Sequence, residues 1–351
     1  MALNKCPVCI IFGPTASGKT ALLEALFASP LCPGDKIPAE IISADSMQVY
    51  RGLDIGTAKA SHEERRRIPH HLIDIIGPRE QFNAGEFVRL AEKACLEAFG
   101  RSALPVVSGG TGFYLMNLVQ GLSEAPPADE NIRRKLREEL RERGAESLLD
   151  ELAKLDPISA GRIHVNDEYR LLRALEVCRL SGLPLSSFNS AWSGGQEDGQ
   201  EEGNCGGFLS RDNFNFLLIG LKRNREELYR RINERTSAMF KAGLYREVKA
   251  LFEEGLTPAD PGLRAIGYRE FFVEDYNEAG TKTWRLSEDL AGLEALIAQN
   301  SRRYAKRQIT FFSSLSGVKW IDCGDFEQNI NEIRRLINEF MINTANKPFF
   351  K

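Results

Sequence analysis

The chain has 351 residues, 42% of them hydrophobic and 27% charged, and its 46 Lys and Arg against 49 Asp and Glu give a formal net charge of −3. This is the composition of an ordinary globular protein, so it excludes a disulfide scaffold and a disordered tail protein. No segment approaches the roughly 20 apolar residues of a membrane span, and the first residues lack the pattern of a secretory leader. We therefore expect a cytoplasmic protein that does not bind membranes.

Short apolar runs alternate with helical periodicity along most of the chain. Strands are predicted at 7–12, 40–45, 72–76, 105–110, 214–221 and 318–322. Helices are predicted at 18–28, 84–99, 111–119 and 326–342, and 222–313 is predicted to be helical throughout. This alternation predicts an α/β fold around a mainly parallel sheet.

Charged amphipathic helices replace this pattern between 128 and 181, with Asp129 placed as a helix cap and Gly144 and Gly182 at helix ends. The change predicts an inserted all-helical lobe. The following segment, 193–207, has almost no apolar content and is predicted to be a mobile loop. The expected divisions are a first core part at 1–127, the lobe at 128–192, the loop at 193–207, and a return to the core with C-terminal helices at 208–351.

The segment 13–20 fits the pattern G-x-x-x-x-G-K-[ST] and joins a predicted strand to a predicted helix. In such a loop, backbone N–H groups and the helix N-terminus face a polyphosphate, Lys19 adds a positive charge, and the Thr20 hydroxyl can ligate Mg²⁺. The predicted phosphate-binding residues are Gly13, Pro14, Thr15, Ala16, Ser17, Gly18, Lys19 and Thr20. The core is therefore predicted to be P-loop NTPase-like.

A phosphate loop alone does not fix the reaction, because most such loops serve nucleotide hydrolysis or phosphoryl transfer. Enzymes of that kind usually carry a metal-binding acid at the end of an apolar strand. The candidates here are Asp45 and Asp74, whereas the strand at 105–110 ends in two glycines. Asp45 could thus ligate a metal, cap a helix or act in catalysis.

Several long motifs follow one another in a fixed order: GPTASGKT (13–20), DSMQVYRGLDIGTAK (45–59), PHHLID (69–74), SGGTGFY (108–114), RAIGYR (264–269) and YAKRQ (304–308). With these motifs the chain resembles the bacterial tRNA dimethylallyltransferase (tRNA isopentenyltransferase) family over roughly residues 8–322. The resemblance implies transfer of a dimethylallyl group from dimethylallyl diphosphate to N6 of adenosine 37 in tRNA. It also implies that the phosphate loop holds the donor's diphosphate and that Mg²⁺ is the cofactor.

The resemblance implies roles for three catalytic residues. Asp45 would accept a proton from N6, and Thr111 would contact the reacting nucleotide or phosphate, although its position also fits a helix cap. Arg235 would lie near the diphosphate, with Arg223 and Arg225 left as alternatives.

Because the net charge is small, tRNA binding has to come from local clusters. The tRNA contacts implied in the lobe are Arg133, Tyr169, Arg170, Leu171, Leu172 and Arg173. Those implied elsewhere are Asp45, Ser46, Met47, Gln48, Thr111, Arg264, Ala265, Ile266, Gly267, Tyr268 and Arg269. In the segment 264–269, an aromatic ring that stacks on splayed bases is favoured over a buried tyrosine. We expect a monomer whose partners are dimethylallyl diphosphate and the anticodon stem-loop of tRNA.

Three other functions remain open on the sequence. These are an adenylate isopentenyltransferase acting on free nucleotides, a P-loop hydrolase or small-molecule kinase, and a nucleotide-binding module without catalysis. The helical lobe and the segment 264–269 favour tRNA as the acceptor, because a mononucleotide does not need so large a binding surface.

Overall fold

The computed structural model describes residues 5–28, 38–188, 209–211, 213–324 and 326–345. The chain divides into two compact units, which are Gly121–Gln200, here called the helical lobe, and the remainder, here called the core unit. The predicted mobile loop at 193–207 lies outside the described residues.

The core unit is built on one mainly parallel sheet. Its strands are β1 (Cys6–Phe12), β2 (Ala39–Ala44), β3 (His70–His71), β4 (Leu104–Gly109), β5 (Leu209–Arg211), β6 (Phe214–Lys222) and β9 (Lys319–Asp322). The order β3-β2-β4-β1-β6 is parallel throughout, and both the antiparallel β5 and the parallel β9 pair with β6. The predicted α/β class is confirmed.

Helices cover both faces of this sheet, and for that reason its central strands are continuous apolar runs. The helices of the core unit are α1 (Lys19–Phe27), α2 (His62–Arg67), α3 (Ala84–Gly100), α4 (Gly112–Gln120), α8 (Arg225–Ala242), α9 (Leu244–Glu253), α10 (Leu290–Phe312) and α11 (Phe326–Ala345). Leu23 of α1 and Phe340 of α11 are buried on one face, and Phe87 of α3 and Leu115 of α4 on the other. Every residue of β1 is buried as a result.

Three strands end side by side at one edge of the sheet. Gly109, the last residue of β4, pairs with Ala44 at the end of β2 and with Phe12 at the end of β1. There is no room for a side chain at this point, since a Cβ on Gly109 would lie 2.1 Å from the Ala44 carbonyl oxygen. The loops that begin at 13, 45 and 110 are therefore neighbours, as expected where strand order reverses in an open α/β sheet.

Two predicted elements are wrong. The apolar run 72–76 is a loop, because Leu72 and Asp74 have left-handed φ values of 61° and 57° and the Asp74 carboxylate is held by Lys59 and Arg65 at 2.6 and 2.7 Å. Within 222–313, the predicted helix is interrupted by a hairpin of β7 (Phe272–Tyr276) and β8 (Lys282–Leu286). Phe272 at the start of β7 is buried, whereas Glu274, Asp275 and Tyr276 are exposed.

The helical lobe contains α5 (Glu130–Leu155), α6 (Pro157–Arg162) and α7 (Glu168–Ser181) around a core of leucines. Asp129 caps α5 by accepting from two backbone N–H groups, and Gly182 ends α7 in the left-handed region, both as predicted. Gly144, with φ 77° and ψ 163°, breaks the helical path of α5.

Across the described ranges, no helix has the length and apolar character needed to cross a bilayer.

Candidate active site

The segment 13–20 forms a tight loop from β1 into α1, as the motif requires. Ala16 and Gly18 have left-handed φ values of 62° and 104°, which curl the backbone ahead of α1. The Ser17 hydroxyl is buried and, within the described part of the chain, has no hydrogen-bond partner. A buried hydroxyl without a partner is costly unless a ligand satisfies it. The loop thus offers an unused donor beside the backbone N–H groups that begin α1.

Lys19 lies folded over this loop. Its Nζ donates to the carbonyl oxygens of Gly13 at 2.9 Å and Pro14 at 3.0 Å. Burial, helped by the positive charge of Arg235 and opposed by Asp45, lowers the pKa of Lys19 from its usual 10.5 to about 8. A nearby anion would favour the charged amine, so a phosphate and the Lys19 proton should bind together.

Three guanidinium groups meet the phosphate loop from one side. Arg223 donates to the Ser17 carbonyl at 3.3 Å, Arg231 to the Ala16 carbonyl at 2.9 Å, and Arg235 to the Thr15 hydroxyl at 3.1 Å. Arg231 was missed by the sequence analysis, although its position one helical turn before Arg235 on α8 is a usable signal.

Arg225, the remaining arginine that the sequence analysis considered, has a different environment. It is exposed on α8, and its guanidinium lies 5.2 Å from the ring centre of Tyr229. Arg223 and Arg235 are therefore the two predicted candidates that the fold brings to the loop.

Asp45 directly follows β2, and its carboxylate closes the next turn. Oδ1 accepts from the backbone N–H of Met47 at 2.8 Å and of Gln48 at 3.3 Å. Oδ2 of Asp45 accepts no hydrogen bond from any described residue. One oxygen thus fixes the side chain and the other remains available to a substrate.

Thr111 joins the loops after β2 and β4. Its hydroxyl accepts from the Ser46 N–H at 3.0 Å, and its own N–H donates to the Ala44 carbonyl at 3.2 Å. Its carbonyl oxygen accepts from the Leu115 N–H at 3.3 Å, so Thr111 also occupies the N-cap position of α4, and the two roles considered for it are compatible. Tyr304 of α10 also lines the site, and burial raises the pKa of this tyrosine to about 12, so it stays protonated at neutral pH.

Gln308 of α10 was quoted within a motif but given no role by the sequence analysis. Its amide donates to the Gly110 carbonyl and accepts from the Thr15 N–H, each at 2.8 Å. This one side chain ties the phosphate loop to the loop after β4. Only folding reveals the connection, since Gln308 lies 293 residues from Thr15 in sequence.

Most of these groups line one cavity of about 780 Å³ in the core unit, whereas Thr111, Arg223 and Arg225 do not. Its polar wall includes Lys19, Thr20 and Asp45, and Thr20 is an exposed residue. Its apolar wall comes from Ile232, Met239, Ile266 and Ile297. Among the residues that the structure describes, no group of three or more His, Cys, Asp or Glu could hold a metal. The cavity can therefore hold an anion at one wall and a hydrocarbon at the other.

The segment 264–269 contributes to the cavity in a way that differs from the prediction. Ala265, Ile266, Gly267 and Arg269 line it, but the Tyr268 ring is fully buried. Its hydroxyl bonds inside the protein, so the hypothesis that Tyr268 stacks on splayed bases is wrong.

The two arginines of that segment are exposed and have partners within the protein. Arg264 donates to the Ala259 carbonyl at 2.7 Å, and Arg269 lies 3.3 Å from the Glu270 carboxylate.

In the helical lobe, the predicted tRNA contacts fall into three groups. Arg133 and Arg173 pair at 3.0 and 2.6 Å with Glu176, whose side chain is completely buried, so both help to hold the lobe together. Leu171 belongs to the core of the lobe and is inaccessible, so its proposed contact is wrong, whereas Leu172 is partly buried. The other two, Tyr169 and Arg170, are exposed.

Comparison with known proteins agrees with the resemblance seen in the motifs. The family model described as IPP transferase matches residues 48–315. A tRNA dimethylallyltransferase of Geobacter sulfurreducens is 40% identical over 337 residues, covering 96% of this chain and 97% of that protein. Another, from Geobacillus kaustophilus, is 42% identical over 334 residues, covering 94% and 96%.

Two solved structures are similar over nearly the whole chain. The full-length tRNA isopentenylpyrophosphate transferase of Bacillus halodurans is 34% identical with a TM-score of 0.62, covering 97% of this chain and 99% of that one. A eukaryotic dimethylallyltransferase acting on tRNA is 25% identical with a TM-score of 0.72, covering 98% and 81%. The chain belongs to the IPP transferase family.

Proposed function

We propose that this protein transfers a dimethylallyl group from dimethylallyl diphosphate to N6 of adenosine 37 in tRNA, beside the anticodon. The observation that carries the proposal is the common cavity of the phosphate loop and Asp45, with one carboxylate oxygen unpaired. Relatives named tRNA dimethylallyltransferase, similar to this chain over almost its full length, support it.

The phosphate loop would bind the donor and stabilise its leaving group. When the C1–O bond breaks, the diphosphate departs with the electron pair and gains negative charge. Lys19, Arg235 and the unpartnered Ser17 hydroxyl are positive or donor groups already placed at this wall of the cavity. Groups fixed before the reaction stabilise a developing charge without reorganisation, which is the largest source of rate enhancement in many enzymes.

We also propose Mg²⁺ as the cofactor. The residues present fit a magnesium ion, since the hydroxyl of Thr20, an exposed residue that lines the cavity, is an oxygen ligand and Mg²⁺ takes its other ligands from substrate phosphates and water. When bound, the ion would neutralise charge on the diphosphate oxygens.

Asp45 would act at the other reacting group. As the bond from C1 to N6 forms, the amine nitrogen becomes positively charged and must lose one proton. Oδ2 of Asp45 can first accept a hydrogen bond from that amine and then take the proton, while Oδ1 stays held by the turn. The apolar wall formed by Met239 and Ile297 is suited to the dimethylallyl group.

The exposed groups Tyr169 and Arg170 of the lobe, and Arg264 and Arg269 of the core unit, would contact the anticodon stem-loop. Phosphate contacts supply affinity, and splayed loop bases that stack on aromatic rings supply specificity. Because the proposed acceptor is tRNA, we also propose a cytoplasmic location. We also propose that the enzyme is monomeric, and light scattering of the protein with and without tRNA tests this.

The experiment incubates the protein with Mg²⁺ and dimethylallyl diphosphate in three parallel reactions, containing unmodified tRNA, AMP or ATP, and analyses the nucleosides by mass spectrometry. Prenylated adenosine from tRNA alone is expected. Product from AMP or ATP alone would instead indicate a free-nucleotide prenyltransferase, and ATP hydrolysis without any product would indicate an ordinary P-loop enzyme. The same reactions are run with the variant Asp45→Asn. Asp275→Asn, at an exposed position of β7, is its matched control.

A further inference from the structure

Glu247 on α9 binds a stretch of backbone that leads into the cavity. Its carboxylate accepts from three consecutive N–H groups, those of Asp54 at 3.1 Å, Ile55 at 2.8 Å and Gly56 at 3.3 Å. Hydrogen bonds to a charged group are roughly twice as strong as neutral ones. One side chain, almost 200 residues away in sequence, therefore determines the position of 54–56.

Tyr268 adds two hydrogen bonds to this contact between Glu247 and the backbone of 54–56. Its hydroxyl donates to Glu247 at 2.6 Å and accepts from the Gly56 N–H at 3.1 Å. Burial and the adjacent carboxylate raise the pKa of Tyr268 well above its usual value, so it remains a donor. A Cβ on Gly56 would lie 2.4 Å from the tyrosine ring, so the backbone and ring are in direct contact.

The anchored backbone continues into the wall of the cavity. Thr57, the next residue, offers its carbonyl oxygen to Arg235 at 3.4 Å and to the Gln48 amide at 3.4 Å. Thr57 lines the cavity, whereas neither Glu247 nor Tyr268 does. The other end of the Arg235 guanidinium donates to Thr15 of the phosphate loop. The Arg235 guanidinium is thus hydrogen-bonded both to the phosphate loop and to the segment that Glu247 holds.

We propose that Glu247, assisted by Tyr268, is a positioning residue that places Arg235 against the diphosphate by fixing the Thr57 carbonyl. The role of Arg235 in this inference rests on the proposed function. Glu247 itself touches no substrate. It acts by holding backbone, and its effect should pass through Arg235.

Glu247→Gln tests the inference, because the side chain keeps its size but one acceptor oxygen becomes a donor that faces backbone N–H groups. The second single variant is Arg235→Lys, and together with the double variant they form a double-mutant cycle. Glu253→Gln, an exposed glutamate on the same helix, is the matched control. The first readout is the affinity for inorganic pyrophosphate by calorimetry, and the second is the single-turnover rate with tRNA. Pyrophosphate binding does not require prenyl transfer, so a failure of the proposed function appears only in the second readout.

Glu247→Gln should weaken pyrophosphate binding by about tenfold in the wild-type background, since small misplacements of a binding group cost this much or more. In the Arg235→Lys background it should cost less than about threefold, because the group it positions is already gone. Equal losses in both backgrounds would show a general structural effect and overturn the inference, as would no loss in either. If Glu247→Gln does not fold, Tyr268→Phe replaces it in the cycle, with a smaller loss expected and the same criterion of non-additivity.

Discussion

Replacing Asp45 by asparagine should slow the chemical step while leaving the fold and substrate binding almost unchanged. The asparagine Oδ1 can still accept from Met47 and Gln48, so the turn is retained. At the position of Oδ2, however, an NH₂ group replaces the proton acceptor. Loss of a general base typically costs about 10²- to 10⁴-fold in rate, which is about 2.7–5.4 kcal/mol of activation free energy.

Asp45→Ala separates the two functions of this side chain. It removes the base and also both hydrogen bonds to the turn. At about 0.5–1.5 kcal/mol for each bond, the alanine variant should lose about 1–3 kcal/mol of stability that the asparagine variant keeps. The two variants should therefore have similar rates but different melting temperatures.

The assay is a single-turnover measurement of prenylated tRNA at saturating donor, with separate titrations of donor and tRNA. It is best run near pH 6.5, because the charge of Asp45 supports protonation of Lys19, whose pKa of about 8 would fall further in the variant. A rate loss of less than about tenfold would refute the role of Asp45 as a base. So would a loss of tRNA affinity equal to the loss of rate.

Three further predictions concern the donor, the tRNA and the packing of the site. The affinity for the donor, measured by calorimetry, should be highest well below pH 8 and fall by up to about tenfold per pH unit above it, because Lys19 loses its proton. Lys19→Ala should bind the donor weakly, and its affinity should not show this fall above pH 8. Replacing Arg264 and Arg269 by alanine should make the plot of log K for tRNA against log salt shallower by about 1.4, and an unchanged slope would mean that neither meets a phosphate. Gly110→Ala should lower the melting temperature by the equivalent of about 1–3 kcal/mol, because its Cβ would lie 2.4 Å from the Gln308 amide; an unchanged value would contradict that packing.

Sequence reasoning located the site where the residues that form it are contiguous. The eight residues of the phosphate loop carry their own geometry, and the strand before them predicts which edge of the sheet they occupy. Asp45 was found in the same way, since it follows a buried strand directly. Local rules also placed the caps at Asp129 and Gly182, because these depend on a few neighbouring backbone groups.

The same rules failed where local preference and long-range contacts disagree. The apolar residues of 72–76 favour a strand, but the ion pairs of Asp74 hold the segment as a loop. Tyr268 has an aromatic ring and a polar tip, so its sequence suits either a base-stacking surface or a buried hydrogen bond. The carboxylate of Glu247 decides between them.

By itself, the sequence determined the family, the α/β class, the phosphate loop and the carboxylate at the end of the second strand, because each is encoded in a short run of residues. Tertiary structure alone decided that Arg231 and Gln308 hold the phosphate loop, that Glu247 anchors the backbone before Thr57, and that Leu171 and Tyr268 are buried. The physical reason is that a hydrogen bond or a buried contact depends on distances of a few ångströms between residues that lie up to about 290 positions apart. The order of residues along the chain does not give those distances, which are set only when the sheet and helices pack.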